Sequence, residues 1–188
     1  MPALTALYVD FLNVYCYRAW LWLSQLEDSD TVQIRPYLAD GDGEAERGPW
    51  DRRTPSLGLE LLALGELARA DGPETHRAFV AAAFAAAHRR RGELRGAEAW
   101  LALATEVGLN LGAFAKEGER WRAEVGLWHA EAQDELGVRG VPSLVFDDTL
   151  AILVALGGVV EGRAAARRLL DAVAELVVAD VREVRSAR

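Results

Sequence analysis

Apolar and polar positions recur with two different periods along this chain, and the change of period marks its elements. Leu4, Ala6, Leu7, Val9 and Phe11 form a short run with strand character, whereas residues 17–26 are too long and too uniformly apolar for another strand and predict a helix. The two meet at Asn13, a residue type preferred at helix N-caps because its side-chain oxygen accepts from an otherwise unpaired amide of the first turn. Residues 27–30 read as a polar turn, and Thr31-Val32-Gln33-Ile34-Arg35 alternates as a half-buried strand does. Two strands joined by one helix predict a parallel, right-handed βαβ unit. Pro36 ends it.

Residues 39–55 are rich in glycine, proline and charge and read as a loop leading out of the sheet. Asp40, Asp42 and Glu44 lie in it, but their spacing and the missing terminal glutamate match a calcium loop poorly. Residues 57–107 are helical by period. The first helix, 57–70, stops at Asp71-Gly72, and Pro73 suits the first position of the next, which runs to about Arg91 with Phe79, Val80 and Phe84 on one side. A helix over 97–106 is closed by Gly108, and a short one over 111–116 is capped by Asn110. Residues 119–136 predict a separate amphipathic helix with Trp121, Val125, Trp128, Ala132 and Leu136 near one stripe. Beyond it, 143–146 and 150–156 read as an antiparallel pair around Asp147-Asp148-Thr149. Ala166, Leu169, Leu170, Val173 and Val177 place a covering helix at 161–178, and the tail from Asp180 is expected to fray. The order βαβ, helices, ββα is that of an α/β thioredoxin fold with an inserted all-helical domain. Residues 1–40 and 137–188 make the thioredoxin-like domain and 41–136 the insertion.

With 188 residues and 51% hydrophobic content the chain can bury a core of this kind. Twenty-nine acidic against 21 basic residues give a net charge of -8, which argues against nucleic acid or anionic membranes as partners. No apolar run is long and uninterrupted enough to span a bilayer. The single cysteine leaves no intrachain disulfide and no multi-cysteine zinc site. The N-terminal residues show no basic region or cleavage pattern, so the expectation is a cytoplasmic protein in a reducing compartment.

Candidate chemistry gathers at the first strand-to-helix junction. Free amides and a positive dipole end there favour an anion or a thiolate, and Cys16 lies in that first turn. Burial of a lone thiol opposes such activation and makes it inert. Tyr15 and Tyr17 can line a groove or simply pack, and Trp20 and Trp22 suit a core or an interface. His76, His88 and His129 are widely separated and show no metal-ligand spacing, so no metal is expected. His88-Arg89-Arg90-Arg91 ends a helix, where cations complement the dipole. No phosphate loop, nucleophile elbow or paired catalytic carboxylates occur.

Three stretches carry a family resemblance. Ala132-Gln-Asp-Glu-Leu-Gly-Val-Arg-Gly-Val-Pro-Ser-Leu-Val-Phe146 resembles the end of the insertion and the following strand in DsbA-family thioredoxin-like proteins. Asp10-Phe11-Leu12 with Asn13-Val14-Tyr15-Cys16-Tyr17 resembles the Asp-Phe-x-Cys-Pro-Trp-Cys-Tyr start of FrnE-like members. Residues 104–114 resemble the family's Ala-x-x-x-Gly-Leu-Asp-x-x-x-Phe. Related groups are the 2-hydroxychromene-2-carboxylate isomerases and the kappa-class glutathione transferases. The resemblance implies a cis Val141-Pro142 peptide facing the first helix, with the backbone before the proline able to pair with an extended substrate or glutathione. Only about 5% of X-Pro bonds are cis, so the resemblance and not the dipeptide carries this expectation.

The sequence departs from the redox pattern at its centre. By the resemblance Asn13 stands at the nucleophilic cysteine, Val14 at the proline, and only the resolving cysteine is kept, as Cys16. Disulfide exchange needs one thiolate to attack and a second thiol to release the mixed disulfide, so one such chain cannot complete the cycle. Three readings follow: a FrnE-like, nominal thiol-disulfide oxidoreductase without dithiol activity; a thiol-dependent isomerase or transferase in which Asn13 replaces an orienting serine; or a non-catalytic peptide- or partner-binding protein. The site residues are Asn13 and Cys16, with Tyr15, Arg18, Val141 and Pro142 around the ligand and Arg139 also placed to meet an anion. No cofactor is required by the first reading, and glutathione or another small thiol by the second. The tryptophan content suits a homodimer.

Overall fold

Asn13 starts the architecture by ending one element and opening the next. The structure, a computed structural model, describes residues 1–39, 50, 55–90, 94 and 99–185. Asp40, Asp42, Glu44, Arg91 and the first residues of the helix expected from 97 lie outside the described residues. Packing divides the chain into two units, Met1–Tyr37 with Ala130–Arg188, and Leu38–His129.

In the first unit, β1 (Leu4–Val9) leads through Asn13 into α1 (Val14–Leu23), and a single 3-10 turn precedes β2 (Gln33–Pro36). β1 and β2 pair in parallel, as the βαβ reading requires. β3 (Ser143–Phe146) and β4 (Leu150–Ala155) form a hairpin whose Asp147 and Asp148 both have positive φ, 48° and 56°. Such a pair makes a type I′ turn, whose twist matches that of the strands it joins. α6 (Arg163–Val178) follows, and Trp22 Nε1 in α1 donates to the Ala166 carbonyl at 2.9 Å. The sheet order is β2-β1-β3-β4-β5, where β5 is Glu183–Arg185, with β1 and β3 antiparallel at its centre.

The fifth strand corrects the expectation of a frayed tail. Asp180 adopts φ 61° at the end of α6, and Val181 N–H bonds back to the Leu176 carbonyl at 3.0 Å. This is a Schellman-type ending that reverses the chain, and Glu183–Arg185 then runs as β5, parallel to β4. Glycine is the usual signal for such a turn. An aspartate that adopts the left-handed region does the same without advertising it.

The second unit holds α2 (Leu57–Asp71), α3 (Pro73–His88), α4 (Ala99–Glu106) and α5 (Leu111–Asp134) up to His129. Ser56 Oγ accepts from Leu59 N–H to cap α2, Gly72 at φ 136° ends it, and Pro73 begins α3. Asn110 Oδ1 caps α5 through Ala113 N–H at 3.0 Å. The break expected between residues 116 and 119 does not occur: α5 is one helix of 24 residues. Gly118 lies inside it, and a Cβ there would come within 3.1 Å of Arg122 Nη1. Arg122 crosses that space to pair with Glu60 at 3.1 Å. A helical glycine costs about 1 kcal/mol relative to alanine; here the absent side chain admits the ion pair. Among the described residues no helix is long and apolar enough to cross a membrane.

Candidate functional site: the start of α1 beside the cis-proline

The junction is built by short-range bonds. Asn13 N–H donates to the Asp10 carbonyl at 3.1 Å, and Asp10 Oδ1 accepts from Leu12 N–H at 2.8 Å. Asn13 has extended φ and ψ, and its Oδ1 accepts from Tyr15 N–H at 2.8 Å and from Cys16 N–H at 3.4 Å. Two of the amides that could hold an anion are thus occupied by the residue's own side chain. The other end of the amide, Nδ2, reaches the Val141 carbonyl at 3.5 Å, a long contact that nevertheless spans 128 positions of sequence. Asn13 therefore both caps α1 and meets the segment before Pro142.

That segment is fixed from its far side. The Val141-Pro142 peptide is cis. Val154 N–H in β4 donates to the Pro142 carbonyl at 3.0 Å, and the buried Ser143 Oγ donates to the Gly140 carbonyl at 2.7 Å. Val141 and Pro142 are themselves buried, so what they offer a ligand is backbone.

Cys16 faces inward and has no solvent exposure. Its Sγ accepts from Asp10 N–H at 3.4 Å. Burial drives the thiol pKa well above its ordinary value; the Asp10 N–H bond opposes this, and the nearby Asp10 carboxylate adds to it. The sulfur is a protonated core group. Asp10, itself buried, holds both Cys16 and the turn; in the sequence it stood out only within the Asp10-Phe11-Leu12 resemblance.

The remaining residues divide between the corner and other tasks. Arg18 Nη1 donates to the Leu156 carbonyl at 3.0 Å, and its guanidinium lies 5.6 Å from the centre of the Tyr15 ring. Arg139 instead lines a groove of about 640 Å3 with Arg182, Asp134, Glu135 and Glu183, and none of the six residues of the corner lines it. Its carboxylates make it a poor anion site. Trp22 is fully buried, and Tyr17 and Trp20 stack with ring centres 6.2 Å apart. His129 is buried against Trp50, His88 lies beside Phe84, and His76 sits half-buried in the helical unit. No cluster of metal-ligating side chains occurs among the described residues.

Two residues of the corner that the sequence reading named only within the family resemblance prove to be exposed. Leu12 and Val14, on either side of Asn13, are 44% and 41% exposed. The signal was present: an apolar residue next to an N-cap must either pack or face solvent, and both of these face solvent.

No protein-family model matches the chain, and no curated protein matches its sequence. Solved structures do match. α-DsbA2, a thiol-disulfide exchange protein of Wolbachia pipientis, is 16% identical, with a TM-score of 0.57 over 91% of this chain and 80% of its own. A probable DsbA oxidoreductase of Streptomyces coelicolor is 18% identical, with a TM-score of 0.61 over 90% and 89%. A cysteine-to-serine variant of DsbA from Proteus mirabilis, with the peptide PWATCDS bound non-covalently, is 15% identical, with a TM-score of 0.55 over 95% and 92%. At these identities the likeness is one of fold: a thioredoxin-type sheet with a helical insertion, as in the DsbA thiol-disulfide oxidoreductases.

Proposed function

We propose that this chain, which has the DsbA fold but a single cysteine, is a FrnE-like protein that binds an extended peptide at the Asn13–Pro142 corner without exchanging disulfides. The observation that carries the reading is the pair of amides at the start of α1, which bond to the carboxamide of Asn13. The only thiol nearby is buried and protonated. The attacking position is therefore neutral and non-nucleophilic, while the cis-proline backbone beside it is retained. Leu12 and Val14 surround it with exposed aliphatic surface, which suits apolar side chains of a peptide better than a small charged thiol.

The test uses the peptide PWATCDS as probe. Saturable amide shift changes at Asn13 and Val141 are expected, together with insulin reduction no faster than dithiothreitol alone. Asn13→Asp keeps the capping oxygen and removes the donor to Val141, so it separates the corner from helix stability: the helix is retained and the affinity falls roughly threefold to tenfold, the size of one hydrogen bond. Absence of any saturable shift sinks the peptide reading, and insulin turnover that survives Cys16→Ser sinks the assignment of the corner.

One observation favours the isomerase or transferase alternative. The second Nδ2 hydrogen of Asn13 has no partner among the described residues, so it can donate to a ligand sulfur. Glutathione titrated against the wild type and Asn13→Asp decides it. A thiolate signal that appears only in the wild type supports that alternative, and no binding removes it.

A further inference from the structure

In the order β2-β1-β3-β4-β5, the last strand pairs with β4 alone among the described residues. Its other side is an edge of unpaired backbone, and the register shows which groups lie on it. Leu153 stands opposite Glu183, and Leu153 N–H donates to the Arg182 carbonyl at 2.9 Å. The N–H and C=O of one strand residue point to the same side, and successive residues alternate between sides. Arg182 and Val184 therefore turn their backbone toward β4, while Glu183 and Arg185 turn theirs outward. Neither outward amide donates to another backbone group among the described residues outside the sheet ladder.

The side chains alternate across the sheet, so Glu183 and Arg185 stand on one face and Val184 on the other. Val184 lies opposite the buried Val154 and is itself only half-buried. Glu183 and Arg185 are exposed and pair with each other along the strand. Charges on an edge ordinarily protect it, because they repel an incoming strand. Glu-Val-Arg does not repel its own inverted copy. When a second β5 runs antiparallel with the two Val184 residues opposite each other, Glu183 faces the partner's Arg185 at both ends. The backbone dictates the same register. The outward groups of Glu183 exchange two N–H···O bonds with those of the partner's Arg185, symmetry repeats them, and the valines form the non-hydrogen-bonded pair between, with Cα atoms about 4.5 Å apart. Pairing centred on Glu183 or on Arg185 opposes like charges instead. Backbone phase and charge thus select one alignment.

We propose that β5 is a homodimerisation edge: two copies of this chain join through antiparallel Glu183–Val184–Arg185 strands into one continuous sheet, with four charges of alternating sign on one face. Such a contact is isologous and closes at two copies. The left-handed Asp180 serves it, since the reversal after α6 brings the chain back alongside β4. An interface this small makes a weak dimer that depends on concentration.

Sedimentation of the wild type over a concentration series up to about 1 mM, where weak associations form, should move from the mass of one chain to that of two. Over the same series the amides of Glu183 and Arg185 slow their exchange at least roughly threefold. Glu183→Arg sets arginine against arginine at both ends, and Arg185→Glu sets glutamate against glutamate. Each raises the dimer dissociation constant roughly tenfold or more, while protection of the Val184 amide, which faces β4, shows that the strand persists. Mixed in equal amounts, the two variants regain the wild-type affinity as a heterodimer, because every facing pair is again opposite in sign. A wild type that stays monomeric throughout overturns the proposal, as does a dimer that both reversals leave intact. A mixture that associates no more tightly than its components overturns the register.

Discussion

At Asn13 a single carboxamide makes bonds in two directions, its oxygen to the amides of Tyr15 and Cys16 and its nitrogen to Val141. The position is therefore one substitution from a dithiol. Asn13→Cys places a thiol where those amides stabilise a thiolate, three residues before Cys16. Thiolate absorbance against pH is expected to show a pKa about one unit or more below an ordinary thiol, and insulin reduction should rise above background. A new thiol with an ordinary or raised pKa would mean the amides do not reach it. In the wild type, Cys16 should react with a disulfide reagent at pH 8 on the order of 100-fold more slowly than in guanidinium, since reaction requires opening of a buried site. Much of this was legible. A cap is a local device, so Asn13 could be read from its neighbours, and a lone cysteine among apolar residues reads as buried. The contact from Asn13 to Val141 could not be read, because the sheet alone brings those residues together. The cis-proline was reached only through family resemblance.

Among the elements, β1, β2, the hairpin and the end of α5 are tied together by Arg35. Its Nη1 pairs with Glu131 at 3.0 Å, Nε and Nη2 bond to Gln33 Oε1, Nη2 lies 3.6 Å from Asp148, and the guanidinium faces the Tyr8 ring. The Tyr8 hydroxyl also bonds to Glu131 at 3.3 Å, and burial of the phenol raises its pKa to about 12. Arg35→Met leaves Glu131 without its cation. Urea unfolding should show a loss of about 2–3 kcal/mol, below the range for a fully buried pair because Glu131 is 35% exposed; a loss under about 0.5 kcal/mol would reduce the network to an ordinary surface contact. The alternation of residues 31–35 foretold β2 but counted Arg35 as an outward polar position. Register explains the difference: Arg35 lies opposite Tyr8, on the face that meets Glu131.

At the scale of the whole molecule, one histidine in the helical unit contributes to the acid sensitivity. Burial, with a smaller contribution from the Arg69 charge, lowers the His76 pKa from 6.5 to about 4. The unfolded chain therefore binds a proton between those values that the folded chain refuses, so stability is fully present above pH 6.5 and is lost as the pH falls toward 4. Glu60, whose pKa is raised chiefly by burial, acts in the opposite sense over the acid end of that range. His76→Gln should flatten the fall in Tm between pH 6.5 and 4.5 relative to the wild type; parallel curves would show that His76 is protonated in the folded state. The net charge of -8 spreads the remaining dependence over many carboxylates, which composition announced and which no single residue controls.

The carboxamide at the start of α1 also sets how long anything can remain there. A cysteine in that place keeps its partner until another thiol releases it, so its occupancy follows the redox poise of the surroundings. An asparagine keeps nothing. A peptide bound there, as proposed, is expected to leave on dilution equally in oxidising and reducing buffer, its occupancy following only its own concentration.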